Sequence, residues 1–275
     1  MSRLPAPEKT AEPSAGAPRA SIWKRALRGL LGWLAGWWRV LYLGAQIMVL
    51  AISPSSYGPA NRLLLARHVV LATAPILLWF TLLCALATLV ITRIVVVTAL
   101  SYGLSQYALQ LIIRVLVLEL IPLGAALFVA LRSTIASSAE LAEMRLRGEL
   151  AALAEPLRQE AMPRVVAGMF ASITLAALSC VVALVLAYLA VYGFTLSALP
   201  AYTRLFGQVF NPAVTLIFVL KTLFFSLAVA LMPIVSALYD DAPAGLRHGA
   251  ELRALARMFV VILLIEMVSL VGNYY

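Results

Sequence analysis

The chain is 275 residues long, 63% hydrophobic and only 12% charged, with a formal net charge of +9 and a mean hydropathy of +0.98. So much apolar surface excludes a water-soluble globule of this length and marks an all-α integral membrane protein. The basic balance fits an uneven placement of Arg and Lys across a bilayer and an attraction to anionic headgroups, and it requires no nucleic acid.

Residues 1–20 are rich in Pro and Ala with scattered charge. They offer no face to bury and lack the basic-then-apolar order of a signal peptide, so a disordered cytosolic tail is expected there. Residues 21–52 follow as an amphipathic segment. Arg25, Arg28, Gly32, Arg39 and Gln46 fall near one helical face, while Trp23, Trp33, Trp37 and Leu41 lie elsewhere. A narrow basic stripe with abundant Trp suits a helix lying in the headgroup plane, whereas a span would bury Arg39 near the bilayer centre.

A hydrocarbon core of about 30 Å needs about 20 apolar helical residues to cross. Within a permease-like domain of residues 66–275, the runs 69–92, 106–131, 165–193, 209–238 and 258–272 meet that demand, which gives about five spans. Most Arg and Lys stand before residue 69, between 132 and 164, and between 240 and 257, whereas the loops near 99–105 and 194–208 hold only Arg204. By the positive-inside rule the N-terminus is cytosolic, and an odd number of spans puts the C-terminus on the periplasmic side. Cys84 and Cys180 sit inside spans without metal-like spacing and read as small apolar residues.

Four ionisable residues fall inside these runs: Arg114, Glu119, Lys221 and Glu266. Each would cost about 2.5 to 3.5 kcal/mol at the centre of a lone helix in lipid, so they must face protein or water. Two readings stay open: mutual pairing that holds the bundle together, or a polar-lined cavity. Arg114 stands nearest a span end and can snorkel. Glu119, Lys221 and Glu266 are the candidates for a cavity, Glu119 and Lys221 being able to neutralise one another amid long apolar runs. Phe218, Phe224 and Phe225 near Lys221 read as ordinary packing.

The polar stretch 138–155, SAELAEMRLRGELAALAE, predicts a helix between the second and third spans. Glu140, Glu143, Arg147 and Glu149 mark its polar faces, Leu141, Met144, Leu150 and Leu153 its apolar contacts, and Pro156 its end. It reads either as a solvated surface helix or as a contact for a partner in water. The sequence holds no G-x-x-x-x-G-K-[ST], H-E-x-x-H or G-x-S-x-G, and His68 and His248 stand near span ends without an acidic cluster. No catalytic or metal-ligating residue is assigned, and a conduit is expected in place of a catalyst.

The run LELIPLGAALFVALRSTIASSAELAEMRLRGELAAL, which begins at Leu118, resembles the signature segment of the MlaE (YrbE-type) permeases, the membrane subunits of ABC transporters in lipid-asymmetry and MCE systems. Glu119, Pro122, Arg132, Ala139-Glu140, Met144-Arg145 and Leu150-Ala151-Ala152-Leu153 hold the matching places. Pro163-Arg164 resembles the Pro-Arg that opens the family's next span, Lys221 its Lys within the fourth span, and Glu266 falls where the family carries Asp. Leu118 stands where the family commonly has Arg, and Ile121 where it has Gly.

The resemblance implies a homodimer of five-span permeases, each with an N-terminal interfacial helix, enclosing a phospholipid cavity in the bacterial inner membrane. It implies a cytosolic ATPase docked on the helix at 138–155, through Glu140, Met144, Arg145 and Glu149, and a periplasmic MCE-domain protein that continues the lipid path. ATP would then be hydrolysed on the partner chain, with no cofactor held by this one. The alternative is a proton- or ion-coupled carrier that uses the intramembrane charges as a relay.

Overall fold

A computed structural model describes residues 36–38, 40–54, 57–148, 157–239 and 247–274. The chain divides into two units, Met1–Tyr42 and Leu43–Tyr275. The expected tail 1–20 lies outside the described residues, as do Arg25, Arg28, Gly32 and Arg39 of the basic stripe. Helix α1, Gly36–Ile52, is apolar but shorter than a span. Its portion in the larger unit is packed, with Leu43 and Ile47 buried, and a Cβ on Gly44 would lie 2.6 Å from Leu231 Cδ2.

All five expected spans are present, four of them longer than the apolar run that announced them and the fourth starting three residues late, after the break at Phe210-Asn211: Asn61–Ser101, Tyr107–Leu146, Gln159–Tyr192, Pro212–Leu238 and Leu252–Asn273. The apolar runs mark only what the hydrocarbon must cover. Helical geometry, at about 1.5 Å per residue, continues past it wherever no breaker intervenes. Helix α2, Pro59–Ser101, starts on Pro59 at its first turn and is closed by Gly103, whose φ of 70° lets the Leu104 N–H return to the Ala99 carbonyl at 2.8 Å.

The second span is a chain of segments: α3 Ser105–Ile112, the π-helical π1 Ile113–Leu120, α4 Ile121–Val129, π2 Ala130–Thr134 and α5 Ile135–Leu146. Its most apolar stretch is 61% buried, against 17% for that of α2, so it stands at the centre of the bundle. The wider π geometry suits the i→i+5 spacing by which the Thr134 hydroxyl donates to the Val129 carbonyl at 3.4 Å.

Next come π3, Leu157–Ala161, and α6, Met162–Tyr192. Gly168, Ser172, Ala176, Cys180, Ala183 and Ala187 form a buried small-residue face on α6 that lets neighbouring backbones approach. A Cβ on Gly168 would meet the Ala230 Cβ at 3.2 Å. This face packs on α2, on α4 and on α8, Pro212–Tyr239, while α9, Arg247–Tyr274, lies along α8. Leu78, Trp79, Leu216, Leu263 and Val268 point outward, as side chains facing lipid do.

One expected loop is largely a helix. Residues 194–208 hold all but the last residue of α7, Leu199–Val209, in which Tyr202, Leu205, Phe206 and Val209 recur at helical spacing. The Tyr202 hydroxyl donates to the Leu184 carbonyl at 3.0 Å, which ties α7 to α6. Burial pushes that hydroxyl up to about 12, so it remains a donor at any physiological pH.

The helix expected at 138–155 is also redrawn. It begins earlier, because α5 continues the second span without a break, and it turns at Arg147-Gly148. Gly148 adopts a φ of 78°, the left-handed conformation that ends helices, with its N–H donated to the Arg145 carbonyl at 3.0 Å. Residues 149–156, including Glu149, lie outside the described residues.

Candidate functional site

Three helical segments bring three of the four intramembrane charges together, Glu119, Lys221 and Glu266. Lys221 sits on α8 at 2% exposure, and its Nζ donates to Glu119 Oε2 of π1. The same ammonium lies 2.8 Å from Glu266 Oε2 of α9 and 3.4 Å from the Leu118 carbonyl. The Phe225 ring, fully buried one turn along α8, has its centroid 5.6 Å from Lys221 Nζ, within cation–π range.

Asn273 completes the group, its Nδ2 donating to Glu119 Oε1 at 3.3 Å. Sequence reasoning passed over Asn273 and set Phe225 aside as packing. The signal was present for Asn273, which stands two helical turns after Glu266 and therefore on the same face of α9. For Phe225 only its spacing from Lys221 hinted at contact.

Electrostatically, one buried ammonium is shared by two carboxylates. Lys221 has its side chain 1% exposed, whereas those of Glu119 and Glu266 keep 10% and 17%. The carboxylates therefore form the accessible edge and the lysine the sealed centre. Arg114 is half-buried at the second position of π1. Cys180 donates to the Val117 carbonyl at 3.5 Å within the apolar core around π1.

The polar end of the second span forms a separate surface. On α5, Leu141 is fully buried, Met144 and Arg145 are half-buried, and Glu140 and Glu143 are exposed. Glu143 pairs with Arg147 at 2.6 Å across one turn. α5 packs against α8, the helix that carries Lys221, so the exposed face and the buried cluster share a rigid neighbour. Glu140 also approaches Arg164, at 3.7 Å, and Arg164 pairs with Glu160 at 3.0 Å. Among the described residues no group of three or more His, Cys, Asp or Glu side chains could hold a metal ion.

Comparison with known proteins gives one finding of weight. A protein-family model described as Permease MlaE matches residues 65–271, from the early turns of α2 to the last turn of α9, and so takes in nearly all of the five-span bundle and the Glu119–Lys221–Glu266 cluster. No curated protein matches the chain.

Proposed function

Since the chain belongs to the MlaE permease family, we propose that it is the membrane subunit of an ABC transporter that moves phospholipid, or a related amphiphile, between the inner membrane and a periplasmic MCE-type carrier. The observation that carries this reading is the family match over residues 65–271 of a multi-pass membrane protein. Two copies would face each other across the lipid cavity, and a separate cytosolic subunit would hydrolyse ATP. The N-terminus would lie in the cytosol and the C-terminus in the periplasm.

Glu119, Lys221 and Glu266 would form the polar floor of that cavity. Their arrangement supports the role: the carboxylates are less sealed than the lysine, and a polar edge beside apolar helix faces can orient an amphiphile's polar end. Glu140, Met144 and Arg145 on α5, with Glu149 beyond it, would meet the ATPase. A push on α5 reaches α8 directly, because the two helices pack together, and α8 carries Lys221. ATPase closure would thereby alter the cavity wall without any nucleotide chemistry in this chain.

A carrier driven by an ion gradient is the competing use of the same charges. Affinity purification of the full chain in mild detergent, with identification of bound proteins and lipids, separates the two. An ATPase and phospholipid are expected to be retained. Recovery of the chain alone, with gradient-driven transport in vesicles, would overturn the permease reading.

A further inference from the structure

A polar cavity of about 330 Å³ lies between α2, π2, α5 and α6, apart from the Glu119–Lys221–Glu266 cluster. One wall is apolar and belongs to α2: Leu71, Pro75 and Ile76. His68 stands on the same face of α2, one turn before Leu71, and the other wall carries Arg132, Ser133, Glu140 and Arg164. His68 immediately precedes the apolar run of the first span, Arg132 follows that of the second and Arg164 precedes that of the third, so the cavity sits at headgroup level. Leu71, 61% exposed, carries the apolar wall out to the lipid-facing side of α2.

The charges are built, and they are mixed. Arg164 has its side chain 8% exposed, held by Glu160 at 3.0 Å and Glu140 at 3.7 Å, with Nη1 donating to the Ser137 carbonyl at 3.4 Å. Its Nε is buried and has no hydrogen-bond partner. Arg132 is exposed, and among the described residues no hydrogen bond or ion pair engages it. Glu140 keeps 67% of its side chain open beside Arg164. A ligand with a single negative charge would satisfy the two guanidinium groups and leave Glu140 facing an anion.

We propose that this cavity is a headgroup subsite for a zwitterionic phospholipid, its phosphodiester held by Arg132, the Arg164 Nε–H and His68, and its primary ammonium by Glu140. The apolar wall of α2 carries the acyl chains away into the bilayer. The assignment deepens the lipid-permease reading and rests on it for the choice of a lipid over a soluble phosphate ester. It also puts the ligand against α5, the helix that would meet the ATPase.

The test is equilibrium binding to the full-length protein in mild detergent. The probes are short-chain phosphatidylethanolamine, phosphatidylglycerol and soluble glycerophosphoethanolamine. Phosphatidylethanolamine should bind most tightly, and Arg132→Gln should weaken it by about tenfold or more, a charge-assisted hydrogen bond being lost. Arg132→Lys should recover part of that loss. Glu140→Gln should weaken phosphatidylethanolamine while leaving phosphatidylglycerol unchanged or tighter, a reversal that misfolding cannot mimic. Gly207→Ala, in open space on α7 away from the cavity, should retain the preference, and Ala136→Trp, which fills the cavity without altering charge, should remove it.

Equal affinity for the two lipids, or equally tight binding of glycerophosphoethanolamine, would overturn the assignment. So would an Arg132→Gln protein that binds like the parent chain. Retention of the ATPase, measured on the same samples, tests the permease reading separately: an Arg132→Gln protein with ATPase bound and lipid binding intact sinks the subsite alone.

Discussion

At Lys221 a single ammonium meets two carboxylates where water is scarce, so its removal does more than delete one ion pair. It leaves Glu119 buried and Glu266 half-buried, side by side and without the ammonium they share. Breaking a buried pair in this way costs about 3 to 5 kcal/mol, whereas removing the whole set of charges is often nearly neutral. Lys221→Met should therefore lower thermal stability in detergent sharply, and adding Glu119→Gln and Glu266→Gln should restore most of it. A triple variant less stable than the single one would contradict this account of the cluster. Packing makes a second residue-scale prediction. Gly168→Leu should cost about 1 to 3 kcal/mol by overpacking against Ala230, while Gly207→Ala, with open space around its Cβ, should be neutral or mildly stabilising.

Among the elements, α5 bears the claim that is easiest to break. Met144 and Arg145 are half-buried on a helix whose Leu141 face is committed to the bundle. Changing both to Asp should abolish co-purification with the ATPase while the chain still reaches the membrane. Normal recovery of the complex would move the coupling surface elsewhere. The spans themselves were legible in the sequence, because about 20 apolar residues in a row have few other uses. Their ends were not, since Pro59 starts a helix and Gly103 and Gly148 stop helices at positions that hydropathy does not register. The helix α7 was missed because its 11 residues are too few to cross a membrane and Pro200, which sits in its first turn, reads as a breaker. Insertion cost indicated that the intramembrane charges needed partners, but only three-dimensional packing puts Lys221 on both glutamates and adds Asn273. The π-helical register of Glu119 and Arg132 left no sequence signal we could read.

At the scale of the molecule, the small-residue face of α6 holds α2, α4 and α8 close, and the charged residues gather at the span ends and in one buried cluster. The uneven Arg and Lys distribution predicts that α5 faces the cytosol and α7 the opposite side. With Cys84 and Cys180 replaced by Ala, Thr203→Cys should react with a membrane-impermeant maleimide on intact spheroplasts, and Arg145→Cys only after lysis. The reverse pattern would invert the topology and remove the docking site from the ATPase's reach.

The central claim is that this chain has no engine of its own and moves lipid by work transmitted through α5. Reconstitution in phospholipid vesicles with an acceptor MCE-domain protein measures this directly, by lipid transfer with and without the ATPase and ATP. Transfer should require both and fall to background in the Met144→Asp, Arg145→Asp variant. Undiminished transfer by the lone chain, or transfer driven by a proton gradient without ATPase, would contradict it.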